Sequence, residues 1–332
     1  MKSDQPYNYD LRQFQLRSVV LLDAIDKVCK EHGIKYYVIA GTLLGALRHK
    51  GFIPWDDDLD IALMRSDYDL LVEHAREWFP EPFSIVAYNN DINYPKYFAK
   101  LEDKSTTLVE RFYLGYVGGI YMDIFPLDSV PDNKLLRAWH YYRFNLKRRM
   151  MYLIYRDPYK HGKGMSSILL RLLQKLVSKE GLHRRTHKVL TEFEGKKNCN
   201  YVMTHDDGFK AYHKSVFGTP QPCEFEGHTF CAPEHPEGFL SVLYGDDFMT
   251  PPPADKRDSH FHDYCDLDHC HPLALAQGKG AHGLVLFLRW QEPFQHGGHF
   301  LLAFVMRQVV FQADILHGGK LVEETQVLKH IA

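Results

Sequence analysis

The sequence predicts an α/β (α+β) protein: a mixed sheet core with flanking helices and a helical basic insertion. Three observations lead there. Over the first 130 residues, short β-prone runs alternate with stretches of helical periodicity. Residues 133–188 then show helical periodicity alone and carry a heavy positive charge. Residues 199–262 return to short strands and turns. At 332 residues, 45% hydrophobic and 25% charged, the chain has ample apolar material for a core, without the bias of a collagenous, disordered or low-complexity protein.

The elements follow in order. Asp10 caps a helix over residues 10–32, with apolar residues at Leu11, Phe14, Val19, Leu22 and Ile25, and Gly33 ends it. Tyr36–Ala40 is β-prone and stops at Gly41; a brief helix over Thr42–His49 is broken by Gly51 and Pro54. Asp56–Met64 is the next strand and Asp67–Trp78 the next helix. Phe83–Tyr88, Lys96–Leu101, Thr106–Phe112 and Ile120–Phe125 read as further strands. Within the helical segment, Ile168, Leu169, Leu172, Leu173 and Leu176 form an apolar stripe, with Arg171, Lys175 and Lys179 on another face. Glu237–Tyr244 is a helix closed by Gly245. The chain thus divides into a core, 1–130, a basic helical segment, 131–190, a C-terminal part of the same domain, 191–270, and an unassigned tail, 271–332.

The net charge of −2 conceals an asymmetry. Between Lys134 and Lys188, fifteen Lys and Arg face only Asp157 and Glu180, a net +13 that leaves −15 for the remainder. A polyanionic partner or an anionic membrane surface fits such a segment; intramolecular pairing is the alternative. Nucleic acid is not expected as a partner. The opening MKSDQPYNYDLRQFQLRS has no apolar signal-peptide core, and no apolar run reaches the roughly 18–20 residues of a membrane span. The expectation is a cytoplasmic protein with peripheral contact at the inner face of the membrane. Six cysteines without a repeating framework read as reduced thiols. His260, His262, Cys265, His269, Cys270 and His271 crowd together, but the paired Cys spacing of a zinc site is missing.

The chemistry concentrates around Trp55-Asp56-Asp57-Asp58-Leu59-Asp60-Ile61. On a strand, alternation buries Leu59, Ile61 and Leu63 and gathers Asp56, Asp58 and Asp60 on the opposite face. Three carboxylates there repel one another, and a divalent cation such as Mg²⁺ is the natural compensation. A solvated acidic turn is the competing interpretation, against which the flanking Leu59 and Ile61 argue. Upstream, Gly41 and Thr42 stand between a strand and a helix, where backbone amides approach a phosphate. A further carboxylate, Asp123, lies in the apolar run Met122-Asp123-Ile124 and needs a partner to justify its burial. Asp128, beyond Pro126, reads as a helix cap or turn residue.

With these pieces in place, the sequence resembles the LicD family, whose relatives include fukutin and fukutin-related protein. The phrase from Gly41-Thr42-Leu43-Leu44-Gly45 through Ile53-Pro54-Trp55-Asp56-Asp57-Asp58-Leu59-Asp60-Ile61 is close to the family hallmark. Met122-Asp123-Ile124-Phe125-Pro126, Tyr244-Gly245, Met249–Pro253 and Lys256-Arg257 match as well. The likeness covers about residues 10 to 268, is weakest over the basic helices, and lapses past His271. It implies a nucleotidyltransferase-like fold, with Thr42 where a Ser is usual, and transfer of phosphocholine or a similar phosphorylated alcohol from a CDP-activated donor to a sugar hydroxyl. The implied roles are Asp58, Asp60 and Asp123 as catalytic residues and ligands of Mg²⁺ or Mn²⁺, and Gly41 and Thr42 on donor phosphate. Arg48, Lys50, Lys100, Lys256 and Arg257 are candidate phosphate cations. The implied acceptor is a cell-surface glycan or its lipid-linked precursor. Two alternatives stand beside this: a nucleotidyl- or phosphoryl-transferase using a nucleoside triphosphate, and a catalytically silent glycan-binding member of the fold.

Overall fold

A computed structural model describes residues 9–159, 164–253, 257 and 262–270. These fall in one compact unit, residues 1–285; a second unit, 286–332, lies outside the described residues, as does the whole of the unassigned tail, 271–332.

Helix α1 (Leu11–His32) starts where Asp10 accepts a hydrogen bond from the Gln13 amide and ends on Gly33 in the left-handed region. Strand β1 is only Tyr37–Val38, shorter than expected, because α2 (Ala40–His49) already begins at Ala40. Gly41 and Thr42 consequently lie in the first turn of α2 rather than ahead of it. Strand β2 is Asp60–Met64; residues 56–59 approach it outside the ladder. The single expected helix that follows is broken at His74 into α3 (Arg65–Glu73) and α4 (Ala75–Trp78). After β3 (Phe83–Val86), two expected strands merge into one long β4 (Ala99–Val109), with a register shift between Asp103 and Leu108. Strand β5 (Gly118–Val130) is likewise longer than its apolar run.

The basic segment folds as α5 (Lys134–Tyr155), α6 (Met165–Leu176) and α7 (Lys179–Leu190). Strands β6 (Tyr201–Met203) and β7 (Tyr212–His213) precede the hairpin β8 (Gln221–Phe225) and β9 (His228–Ala232). Helix α8 (Pro236–Tyr244) follows, and β10 (Tyr264–Asp266) is a strand that periodicity did not signal. The main sheet runs β1-β2-β5-β4-β10, with β3 also on β4 and β6-β7 attached to the end of β5. Residues 191–270 therefore complete the sheet begun by residues 1–130. Among the described residues only β2 and β5 pair in parallel. Among the described residues no helix is long and apolar enough to cross a membrane.

Asp128 departs from its expected place. It is neither cap nor turn but a fully buried residue of β5, with Oδ1 2.6 Å from Arg65 Nε of α3. Its other oxygen lies 3.5 Å from His205 Nδ1, whose Nε2 meets His140 Nε2 at 2.9 Å. His140 Nδ1 in turn stands 2.8 Å from Glu192 Oε1. Burial pushes the Asp128 carboxyl up against the pull of Arg65, and it drives both histidines below their ordinary range. The Asp128–Arg65 pair fastens β5 to α3, and His140 separately ties α5 to His205 and Glu192. Asp128→Ala would leave the buried Arg65 guanidinium with only the half-exposed Asp69, 3.2 Å away, and should cost about 3 kcal/mol in urea unfolding. A loss under about 1 kcal/mol would show the pair to be dispensable.

Candidate active site

The parallel register of β2 and β5 sets Asp60 directly opposite Asp123, and antiparallel β4 sets Lys100 opposite Asp123 on the far side. Neighbouring strands lie about 4.8 Å apart, so the three side chains form one row on one face of the sheet. Strand alternation holds on both sides of the row: Leu59, Ile61, Met122 and Ile124 are buried in the core, while Asp58, Asp60, Tyr121 and Asp123 are partly open.

Lys100 is fully buried, with Nζ 2.7 Å from Glu110 Oε1, 3.3 Å from Asp123 Oδ1 and 2.9 Å from the centre of the Tyr121 ring. Lys96 Nζ meets the other oxygen of Glu110 at 2.9 Å. Burial opposes the charge on Glu110, yet the two lysines hold its carboxyl well below the usual range. Asp60 behaves oppositely. Burial, followed by Asp58, Asp123 and Asp56, pushes it well above the usual range. Burial also pushes Asp123 up to about 6, against Lys100 and Lys96.

Asp56, Asp57 and Asp58 each offer an oxygen, all within 4.8 Å of one another, immediately before Asp60. Asp57 is the buried member and takes a hydrogen bond from Tyr9 Oη; His262 Nδ1 stands 3.4 Å from it, and His262 Nε2 3.3 Å from Tyr121 Oη. The compact cluster is thus Asp56–Asp57–Asp58, with Asp60 and Asp123 adjoining it in the sheet; all are hard carboxylate oxygens, and Mg²⁺ or Mn²⁺ fits such a set. Asp58, Asp123, Lys96, Glu110, Arg148 and His262 line a cleft of about 370 Å³ beside the row, with Tyr97, Phe98, Tyr121 and Tyr152 as its aromatic walls.

The other candidate residues are placed as follows. Gly41 sits where a Cβ would come within 2.7 Å of Asp56 Oδ2, so its lack of a side chain lets that carboxylate approach α2. Thr42 is buried, and its Oγ1 accepts the Asp60 amide at 2.8 Å, which fixes the start of β2. Arg48 donates to the Phe248 carbonyl at 3.1 Å, beyond the end of α8. Lys50 is the exposed cap of α2 beside the β8–β9 hairpin, its carbonyl accepting the Glu226 amide. Arg257 lies over the Trp55 ring, 4.1 Å from its centre. Lys256, His260 and His271 lie outside the described residues; Cys265 stands in β10, and His269 Nδ1 faces Asp266 at 3.3 Å. Lys96, Glu110 and Tyr121 carried no assignment from sequence, while Arg148 was counted with the basic surface and His262 with the Cys and His cluster weighed for zinc. Tyr121 alone had a usable signal, its i, i+2 spacing to Asp123 on one strand face.

An Asp-x-Asp segment entering an interior strand, with a third carboxylate on its parallel neighbour, is the arrangement expected of a nucleotidyltransferase-type domain. Residues 33–153 match the family model described as LicD/FKTN/FKRP, nucleotidyltransferase domain. The chain is 31% identical over 271 residues to the lipopolysaccharide cholinephosphotransferase LicD of Haemophilus influenzae, covering 75% of this chain and 96% of that one. It therefore belongs to the LicD family. Uncharacterised proteins of Rickettsia prowazekii and Rickettsia typhi are each 49% identical over 47 residues, covering 14% of this chain and 18% and 15% of theirs.

Asp123 holds its proton more tightly folded, at about 6, than in the unfolded chain, at about 3.9. The stabilisation that proton brings is full below about pH 4 and is lost as pH rises through about 6. In chelator, the melting temperature of the wild type should fall across this window by more than that of Asp123→Asn. Parallel curves would show that Asp123 is not strained by its surroundings.

Proposed function

We propose that this LicD-family protein is a phosphotransferase that moves a phosphorylated alcohol of the phosphocholine type from a CDP-activated donor to a hydroxyl of a cell-surface glycan or its lipid-linked precursor. The observation that carries this reading is the row Asp60–Asp123–Lys100 with Asp58 beside it: negative oxygens for a cation, next to a buried ammonium and an open cleft. The acceptor class is taken from the Haemophilus relative, whose name is that of a lipopolysaccharide cholinephosphotransferase.

Asp58, Asp60 and Asp123 would hold Mg²⁺ or Mn²⁺, which supplies charge neutralisation to the diphosphate of the donor. The chain's own residues do the rest. Lys100, fixed by Glu110, keeps a positive charge beside Asp123 that needs no reorganisation during transfer. Lys96 and Arg148, across the cleft, meet donor phosphate, and the aromatic walls shelter the reacting centre from water. The acceptor oxygen attacks the phosphorus that bears the alcohol, the bond from that phosphorus to CMP breaks, and the acceptor proton passes to Asp123. Thr42 contributes by anchoring the Asp60 backbone.

Part of the basic segment is consumed inside the protein: Arg143 pairs with Glu192 and Arg148 stands 3.6 Å from Asp206. Arg149, Arg171, Lys175, Arg184, Arg185 and Lys188 remain exposed, and we assign them to an anionic membrane surface at which the acceptor is presented.

A screen of CDP-choline, CDP-ribitol, CDP-glycerol and nucleoside triphosphates with Mg²⁺ tests the reading. CMP release from one CDP-alcohol is expected, abolished by chelator and restored by Mg²⁺ or Mn²⁺. Pyrophosphate release would favour triphosphate chemistry, and silence with every donor a glycan-binding protein. Asp60→Asn should lower transfer by about a thousandfold or more while unfolding no earlier than wild type, because one of several repelling carboxylates is removed. Near-normal turnover would remove Asp60 from the site.

A further inference from the structure

Helix α6 is turned the wrong way round for a helix of a globular core. Its apolar stripe, Met165, Ile168, Leu169, Leu172 and Leu176, is 81%, 61%, 66%, 52% and 75% exposed. These residues fall within about 100° of the helix circumference. The opposite side faces the protein through Ser167 and Leu170, and through Gln174, whose side-chain amide donates to the carbonyls of Leu153, Ile154 and Arg156 at the end of α5. Arg171 and Lys175 flank the apolar stripe on one side, and α6 contains no acidic residue.

Helix α5 repeats the pattern. Leu135, Trp139, Tyr142 and Leu146 recur along one face and are 84%, 55%, 59% and 50% exposed, while Phe144 and His140 on the other face are fully buried. It too lacks any Asp or Glu over its 22 residues. Its inner side supplies Arg148, Met151 and Tyr152 to the catalytic cleft. One helix therefore joins that cleft directly to the outward apolar surface.

A row of exposed apolar side chains along a helix marks an interaction surface, and the charge beside it selects the partner. A protein partner matched to apolar side chains alone gains nothing from exposed Arg149, Arg171, Lys175, Arg184, Arg185 and Lys188. A bilayer of acyl chains beneath anionic headgroups complements both features at once. We propose that the outward face of α6, extended by that of α5, inserts into the interfacial layer of an anionic membrane. The helix lies in the plane of the surface, with Arg171 and Lys175 at the headgroups. This rests on the reading of a lipid-linked acceptor and adds to it the specific surface and a hydrophobic mode of binding. Charge attraction alone is screened at high salt, whereas an inserted apolar face is not.

The test uses the full chain and vesicles of phosphatidylglycerol and phosphatidylcholine. Wild-type protein should co-sediment with mixed vesicles, weakly with pure phosphatidylcholine, and keep a measurable bound fraction at about 1 M salt. The triple variant Ile168→Gln, Leu172→Gln, Leu176→Gln removes exposed side chains only, so the fold is retained, and it should partition about a hundredfold more weakly. Arg171→Gln with Lys175→Gln should lose the preference for anionic lipid while keeping the salt-resistant fraction. Release of CMP from the donor in detergent-free solution should be the same for all three proteins. Equal sedimentation of wild type and the triple variant would overturn the proposal, as would a concentration-dependent dimer that the triple variant abolishes, which would make a second copy the occupant. Absence of CMP release from the wild type with intact vesicle binding would instead defeat the catalytic reading and leave the membrane surface standing.

Discussion

Asp60 and Asp123 face each other across the parallel pairing of β2 and β5, a few ångströms apart and partly withdrawn from water. Two carboxylates held that way repel, and with Asp58 and Asp56 adjacent the local charge is more than the sheet tolerates unaided. Everything near the row answers this constraint. Lys100 is buried opposite Asp123, Glu110 locks Lys100 and Lys96 in place, and Gly41 makes room for Asp56 at the start of α2. On the reading proposed above, a hard divalent cation would offset the remaining negative charge and make the cluster a binding site for phosphate.

The same strand serves two purposes along its length. At its N-terminal half β5 presents Tyr121 and Asp123 to the cleft, and a few residues on it buries Asp128 against Arg65 and His205. The two aspartates are chemically alike but are placed in opposite environments, one in a row open to ligand, the other closed in a paired network. Beside it, His140 of α5 bonds to His205, which packs next to Asp128 without a hydrogen bond to it. The cleft, these buried polar groups and the outward apolar faces of α5 and α6 are successive layers of one arrangement.

How much of this was legible in the sequence depended on range. Alternation of Asp58 and Asp60 with Leu59 and Ile61 is local, and it gave the face on which the acids gather. The caps Asp10 and Gly33, the helical character of the basic segment and α8 were legible for the same reason, though not the division of that segment into three helices. The pairing of Asp60 with Asp123 is not local; strand register across sixty residues leaves no periodic trace, and only the family resemblance linked the two. Glu110 and His262 escaped because their roles come from neighbours distant in sequence. Asp128 was misjudged because Pro126 suggested the strand had ended, whereas β5 continues through it to Val130. Thr42 and Gly41, expected ahead of a helix, lie inside its first turn. The stripe of α6 was visible, but periodicity does not say which face looks outward.

The central claim is that the carboxylate row holds the cation on which transfer depends. Paramagnetic titration measures this directly: Mn²⁺ added to the wild type and to Asp58→Asn, with free Mn²⁺ followed by its resonance signal. Wild type should bind Mn²⁺ saturably in competition with Mg²⁺, and the substitution should weaken binding by about tenfold or more. Equal Mn²⁺ binding by the two proteins, or none by the wild type even with a CDP-alcohol present, would contradict it.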